Sequence, residues 1–193
     1  VGSIQFKIQL EGITPPIWRT FQVDASEPFF DLHEIIQIVM GWENAHLFEF
    51  HINDRKIGLL PDDEQMWENH EKVEDSEAVA IADTGIKLGD TFTYIYDFGD
   101  SWEHTLTVEK ILDEETPLPL CLNGKRCCPP EDCGGVPGYL DFLEAIKDPK
   151  HPDHAEIIDW IDEFDAEEFD LQETNEILSE FNDWRQDLFN EEE

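Results

Sequence analysis

Positive charge is what this sequence has least of: 12 Lys and Arg stand against 47 Asp and Glu, a formal charge of −35 over 193 residues. Such a surface repels phosphate backbones and no local basic patch interrupts it, so nucleic acid is not an expected partner. Long apolar runs are missing as well. No stretch approaches the roughly 18 consecutive apolar residues of a membrane span, and Val1 to Leu10 alternate where a secretory signal would run unbroken. The reading is a soluble, cytoplasmic protein with no membrane partner. Cysteine is scarce and confined, because Cys121, Cys127, Cys128 and Cys133 fall within 13 residues. A secreted disulfide scaffold spreads its bridges through the chain, so free thiols or a bound metal are expected here instead. There is no internal repeat, and no low-complexity tract beyond Glu191 to Glu193.

What is present is ample core material. Hydrophobic residues make up 40% of the chain, with 13 Phe and 6 Trp, too much for a disordered acidic polymer. The length suits one domain over residues 1–193. The acidity is uneven: residues 141–193 carry 20 Asp and Glu against Lys147, Lys150 and Arg185, while residues 121–140 balance Lys125 and Arg126 against Glu131 and Asp132. Most of the excess reads as solvated surface, and acidic first turns such as Asp153 to Glu156 suit the positive end of a helix dipole.

Ile4, Phe6, Ile8 and Leu10 alternate with polar residues, the period of a strand, and the turn residues 11–16 lead into a second strand through Phe21 and Val23. Leu32, Ile35, Ile36, Val39 and Met40 recur at helical spacing, with Asp31 and Glu34 placed as a capping pair. Phe48, Phe50 and Ile52 form a third strand, and Asn53-Asp54 turns it into a short return around Lys56 and Ile57. Residues 61–77 read as a surface excursion anchored by Met66 and Trp67. Phe92, Tyr94 and Tyr96 line one further strand and Leu106 and Val108 the next, joined by Asp97 to Ser101. The period then changes. Helical stripes run through Tyr139, Phe142, Leu143 and Ile146, through Ile157, Trp160, Ile161 and Phe164, and through Ile177, Leu178, Phe181 and Trp184, the last capped by Asp170 and Glu173. Sheet first and helices last is the α+β order. The expected fold is a mixed, mostly antiparallel sheet starting β-β-α-β-β, after the manner of a ubiquitin-like roll, with a sheet-rich part over 1–120, a cysteine loop over 121–138 and a helical part over 139–190.

Two segments offer chemistry. Asp97-Phe98-Gly99-Asp100-Ser101-Trp102-Glu103-His104 gathers carboxylates and an imidazole in one connection, so Asp97, Asp100 and His104 are candidate catalytic or metal-binding groups. Turn chemistry alone also explains the composition. The tripeptide Asp97-Phe98-Gly99 is no kinase motif, since the Gly-rich loop, strand lysine and catalytic loop are all missing. In the second segment, four residues separate Cys128 from Cys133 and six separate Cys121 from Cys128. Zinc held by Cys121, Cys128, Cys133 and His104 is one reading, with His151 and His154 as other imidazoles, and buried thiols in a rigid Pro and Gly loop are the competing one. His151 and His154 read as a surface helix entry. Phe29, Trp42, Phe48 and Trp67 are expected in the core and not in a ligand-stacking set.

Tyr94-Ile-Tyr-Asp-Phe-Gly-Asp-Ser-Trp-Glu-His, followed by Cys128-Pro-Pro-Glu-Asp-Cys-Gly-Gly and Gly138-Tyr139, resembles the plasmid pRiA4b ORF-3-like family. The resemblance extends from Phe6-Lys7-Ile8 and Pro16-Ile17-Trp18-Arg19 through Asp148-Pro149 to the acidic helices. It implies an α+β domain of plasmids, mobile elements and many chromosomes, with no activity or catalytic residues to carry over. Within the family's motifs Cys127 departs from a small or variable residue, which favours Cys128 in any metal site. The functional expectation is a binding or assembly module with a protein partner. A metal-dependent enzyme using Asp97, Asp100 and His104 is the alternative.

Overall fold

In the computed structural model, residues 2–60, 72–113, 119–160 and 164–191 are described. The alternation at the start puts Ile4, Phe6, Ile8 and Leu10 on one buried face of β1 (Ser3–Leu10). Antiparallel β2 (Trp18–Asp24) sets Phe21 opposite Phe6 on the same face. Helix α1 (Phe29–Met40) buries Leu32, Ile35, Ile36 and Val39 in the same apolar cluster. Strands β3 (Phe48–Ile52) and β4 (Arg55–Gly58) form the next hairpin, and β5 (Val73–Asp75) runs parallel to β4. A 3-10 turn at Ile81–Thr84 precedes β6 (Thr91–Tyr96) and the long β7 (Trp102–Leu112). With β8 (Leu120–Lys125) the sheet has, among the described residues, eight strands in the order β5-β4-β3-β6-β7-β1-β2-β8.

The class is α+β as expected, and the opening β-β-α-β-β order is present. The eight-strand extent among the described residues and the antiparallel pairing of β1 with β7 go beyond a ubiquitin-like roll. Helices α2 (Gly135–Lys147), α3 (His154–Trp160) and α4 (Leu171–Glu191) follow the sheet, and α4 lies against β8 and α1. Among the described residues no helix is long and apolar enough to cross a membrane.

Several local expectations change. Helix α1 starts at Phe29 after Pro28 with no side-chain cap, so Asp31 and Glu34 are not a capping pair. Asp31 instead accepts from Arg185 Nη2 of α4 at 2.7 Å. The Asp170–Glu173 cap does form, with the Glu173 N–H donating to Asp170 Oδ1 at 3.0 Å. The segment 121–138 is not one loop: its first residues are β8, where Cys121 pairs with Phe21, and α2 begins at Gly135. Phe164 lies outside α3 and packs edge-on against Phe142 at 5.1 Å. The stripe position Ile161 and the anchors Met66 and Trp67 lie outside the described residues.

Candidate functional site

Strands β6 and β7 pair up to Tyr96 and Trp102, so the chain must reverse within Asp97–Ser101. Asp97 and Ser101 do this with left-handed backbones, φ 57° and 55°. Asp97 Oδ1 closes an Asx turn by accepting the Gly99 N–H at 2.9 Å. The loop after β8 turns through left-handed Arg126 and Asp132 before Gly134 and Gly135 open α2. The two segments touch: Gly134 N–H donates to Asp100 Oδ2 at 3.0 Å, and a Cβ on Gly135 would lie 2.5 Å from the Asp100 carbonyl oxygen. Asp100 is therefore a clasp between the hairpin and the thiol loop.

A third segment completes the junction. The connection from α1 to β3 runs beside the hairpin because Phe48 pairs with Tyr96, and the Asp97 N–H donates to Leu47 O at 2.9 Å. This places His46 Nε2 3.7 Å from Asp97 Oδ2, 3.8 Å from Glu131 Oε2 and 2.9 Å from Asp132 Oδ1. The short distance to Asp132 lacks hydrogen-bond alignment, for both His46 Nε2 and Glu131 Oε2 are buried without a hydrogen-bond partner. The Glu131 side chain is 9% exposed. Its other oxygen, Oε1, is held by the Tyr96 O–H and the Glu43 N–H, each at 2.9 Å. Tyr96 in turn accepts the Ala45 N–H at 2.9 Å, and its phenol is pushed well above the usual tyrosine range, first by burial. Exposed Leu47 and Phe98 flank the cluster.

Arg19 fixes the stems of two of these segments. Its Nε and Nη2 donate to Val39 O and Met40 O at the end of α1, while Nη1 and Nη2 donate to Lys125 O at the end of β8 and Arg126 O just after it. Its guanidinium also stacks on Phe169, 4.0 Å from the ring centre. Burial lowers its pKa, yet no acidic side chain is needed because carbonyl dipoles take every donor.

The residues expected from sequence divide. Asp97 is in the junction and Asp100 supports it. His104 does not join them: it is fully buried, Nε2 accepts the Trp42 indole N–H at 3.1 Å, and Nδ1 therefore donates to Tyr94 O at 3.3 Å. Burial drives its pKa down to about 4, so it stays neutral. His33 is likewise a core imidazole, between the Tyr94 hydroxyl and Asn44 Oδ1, each at 2.8 Å. The thiol set is not assembled either. Among the described residues no cysteine sulfur belongs to a group of three ligating atoms within 4.8 Å of one another. The reason is local: Cys121 is a strand residue whose Sγ faces Thr20 O at 3.7 Å, and His104 has both nitrogens committed. Burial raises Cys121 to about 11 and Cys133 to about 12, the latter helped by the Asp100 carboxylate, and burial also raises Cys127 and Cys128. Protonated thiols are poor nucleophiles.

Half-buried His151 lies near the exposed Asp141 and Asp153, while His154 Nδ1 donates to Ala145 O at 2.6 Å. Phe29, Trp42 and Phe48 are core residues, as expected. His46, Glu131 and Asp132 were not singled out by residue chemistry as a group. The signal lay in topology: once β3 is paired with β6, the residues before Phe48 and after Tyr96 must be neighbours.

The model of the family described as plasmid pRiA4b ORF-3-like protein matches residues 2–173. An uncharacterized protein, y4hQ, of Sinorhizobium fredii (strain NBRC 101917 / NGR234) is 39% identical over 158 residues, 81% of this chain and 79% of that one. A crystal structure of a protein of unknown function, MM3350, from Methanosarcina mazei Go1 shares 37% identity with a TM-score of 0.77, covering 89% of this chain and 96% of that chain.

Proposed function

The chain belongs to the plasmid pRiA4b ORF-3-like family, and from that premise we propose that it is a ligand-binding module whose recognition face is the junction of the hairpin, the thiol loop and the α1–β3 connection. One observation carries this reading: three chain segments are clasped around a polar cluster whose buried groups are left unpaired, with exposed apolar residues beside it. Buried polar groups are ordinarily satisfied, so unpaired ones at a surface junction mark a place where a partner supplies the missing contact. Two contacts favour this reading over a metal-dependent enzyme using Asp97, Asp100 and His104: Asp100 accepts a backbone N–H, and His104 bonds to Trp42 within the core. The strong negative charge favours cationic or neutral ligands over polyanions.

The test is a screen of small fragments against isotopically labelled protein, read as amide shift changes. Hits should concentrate at residues 45–48, 96–101 and 132–135, since Pro129, Pro130 and Glu131 also line the neighbouring cleft. Hits that concentrate instead in the cleft lined by Ile38, Phe169 and Ile177, or that scatter over the surface, overturn the reading.

A further inference from the structure

We propose that the junction binds a divalent first-row metal cation through His46 Nε2, Asp97 Oδ2, Glu131 Oε2 and Asp132 Oδ1, an inference that rests on the junction being the recognition face.

Three oxygens approach a single imidazole nitrogen at 2.9, 3.7 and 3.8 Å, and none of them makes a hydrogen bond with it. Acidic residues alone carry no such meaning in so acidic a chain. What distinguishes this group is Glu131, a side chain more than nine-tenths buried whose Oε2 has no partner and faces His46. A buried carboxylate oxygen left bare costs free energy, and a cation recovers that cost.

The supporting bonds have the pattern of ligands held from behind. Glu131 spends Oε1 on the Tyr96 O–H and the Glu43 N–H and turns Oε2 toward His46. Asp97 spends Oδ1 on the Gly99 N–H and turns Oδ2 the same way. Metal-binding carboxylates are oriented by such outer bonds. His46 Nε2 and one oxygen each of Asp97 and Asp132 lie within 4.8 Å of one another, and Glu131 joins through its approach to the same nitrogen. Ligand bonds of about 2.0–2.2 Å imply neighbouring ligand atoms about 3.0–3.4 Å apart, so the oxygens at 3.7 and 3.8 Å from His46 Nε2 must draw in, and Glu131, outside the 4.8 Å group, must move furthest.

Donor type narrows the ion. One imidazole with three carboxylates suits Mn²⁺, Fe²⁺ or Zn²⁺, whereas Mg²⁺ prefers all-oxygen shells and keeps its waters. Affinity should rise from Mn²⁺ to Zn²⁺. Because the ligands come from three segments, the cation would tie the α1–β3 connection, the hairpin and the thiol loop together, and unfolding would then depend on its concentration.

The test is a calorimetric titration of chelator-treated full-length chain with Mn²⁺ and with Zn²⁺, repeated on Glu131→Gln, His46→Gln and the double variant Cys128→Ser/Cys133→Ser. The expected result is one ion per chain, affinity lowered about 10- to 100-fold by either junction variant, and no change in the cysteine variant. Metal-free Glu131→Gln should unfold at or above the temperature of the native chain, which shows that lost binding is not lost folding. Paramagnetic broadening by Mn²⁺ should centre on residues 45–48, 96–99 and 130–133. Absence of stoichiometric binding, binding unaffected by Glu131→Gln, or binding abolished only in the cysteine variant overturns the proposal. If fragments still gather at the junction while no cation binds, the recognition face stands and the metal falls.

Discussion

Gly135 has φ 68°, and the Asp100 carbonyl oxygen occupies the space in which a side chain would begin, 2.5 Å from an ideal Cβ. Gly85 has nearly the same angle, 67°, with nothing within 4 Å. The pair separates backbone strain from close approach. Gly85→Ala should cost about 1 kcal/mol, and Gly135→Ala about 2–3 kcal/mol because the clasp must also open, as measured by urea unfolding. Equal costs at the two positions would show that the clasp contributes nothing. His33 and His104 are both core imidazoles. Burial lowers both from 6.5 to about 4, so their neutral forms favour the folded state fully above about pH 6.5 and that contribution is lost as pH falls toward 4. Each adds up to about 1.4 kcal/mol per pH unit to the slope of stability against pH in that window. His33→Asn should remove one proton's share of the slope, which urea unfolding at several pH values would register. Residue identity alone disclosed Asp97 and Asp100 as notable, but not their different tasks, because an aspartate in a turn looks the same whether its carboxylate faces a neighbour's N–H or a cluster of ligands.

At the scale of elements, α4 meets α1 through Arg185, which donates to Glu27 Oε2 at 2.5 Å and to Asp31 Oδ2 at 2.7 Å. Burial, then the hydrogen bond with Glu27, raises Asp31 to about 7. A carboxyl that holds its proton more tightly when folded favours the folded state at low pH, and this contribution fades as pH rises from about 4 to about 7. The stability of the native chain relative to Asp31→Asn should therefore fall across that window and level off above it. A difference that grows with pH would contradict burial as the leading cause. Elements with many turns of clean period were legible: β1, β2, α1 and β6 declare themselves because each must bury one apolar face. β8 was not, since Asn123, Gly124 and Lys125 look like loop, and their strand conformation comes from pairing with β2. The start of α1 was misplaced for a related reason: Asp31 mimics a cap in sequence while its carboxylate is claimed by a helix more than 150 positions away.

Over the whole molecule the formal charge is −35, and self-repulsion must be met by the apolar cluster that joins β1, α1 and the long hairpin of β6 and β7. Screening should relieve it. The unfolding temperature is expected to rise by several degrees between low salt and about 1 M sodium chloride, and a fall would mean that favourable surface pairs outweigh the repulsion. The same architecture explains how much of the site could be foreseen. Two of its three segments carried conspicuous motifs, but their meeting with His46 depends on the β3–β6 pairing and on Arg19 holding the stems, neither of which has a local sequence signature. The most direct measurement is a crystal of the full chain grown with Mn²⁺ and examined by anomalous scattering at the manganese edge. One strong peak is expected about 2.0–2.3 Å from His46 Nε2 and from oxygens of Asp97, Glu131 and Asp132. A map with no peak there, or with its peak at Cys128 and Cys133, would contradict it.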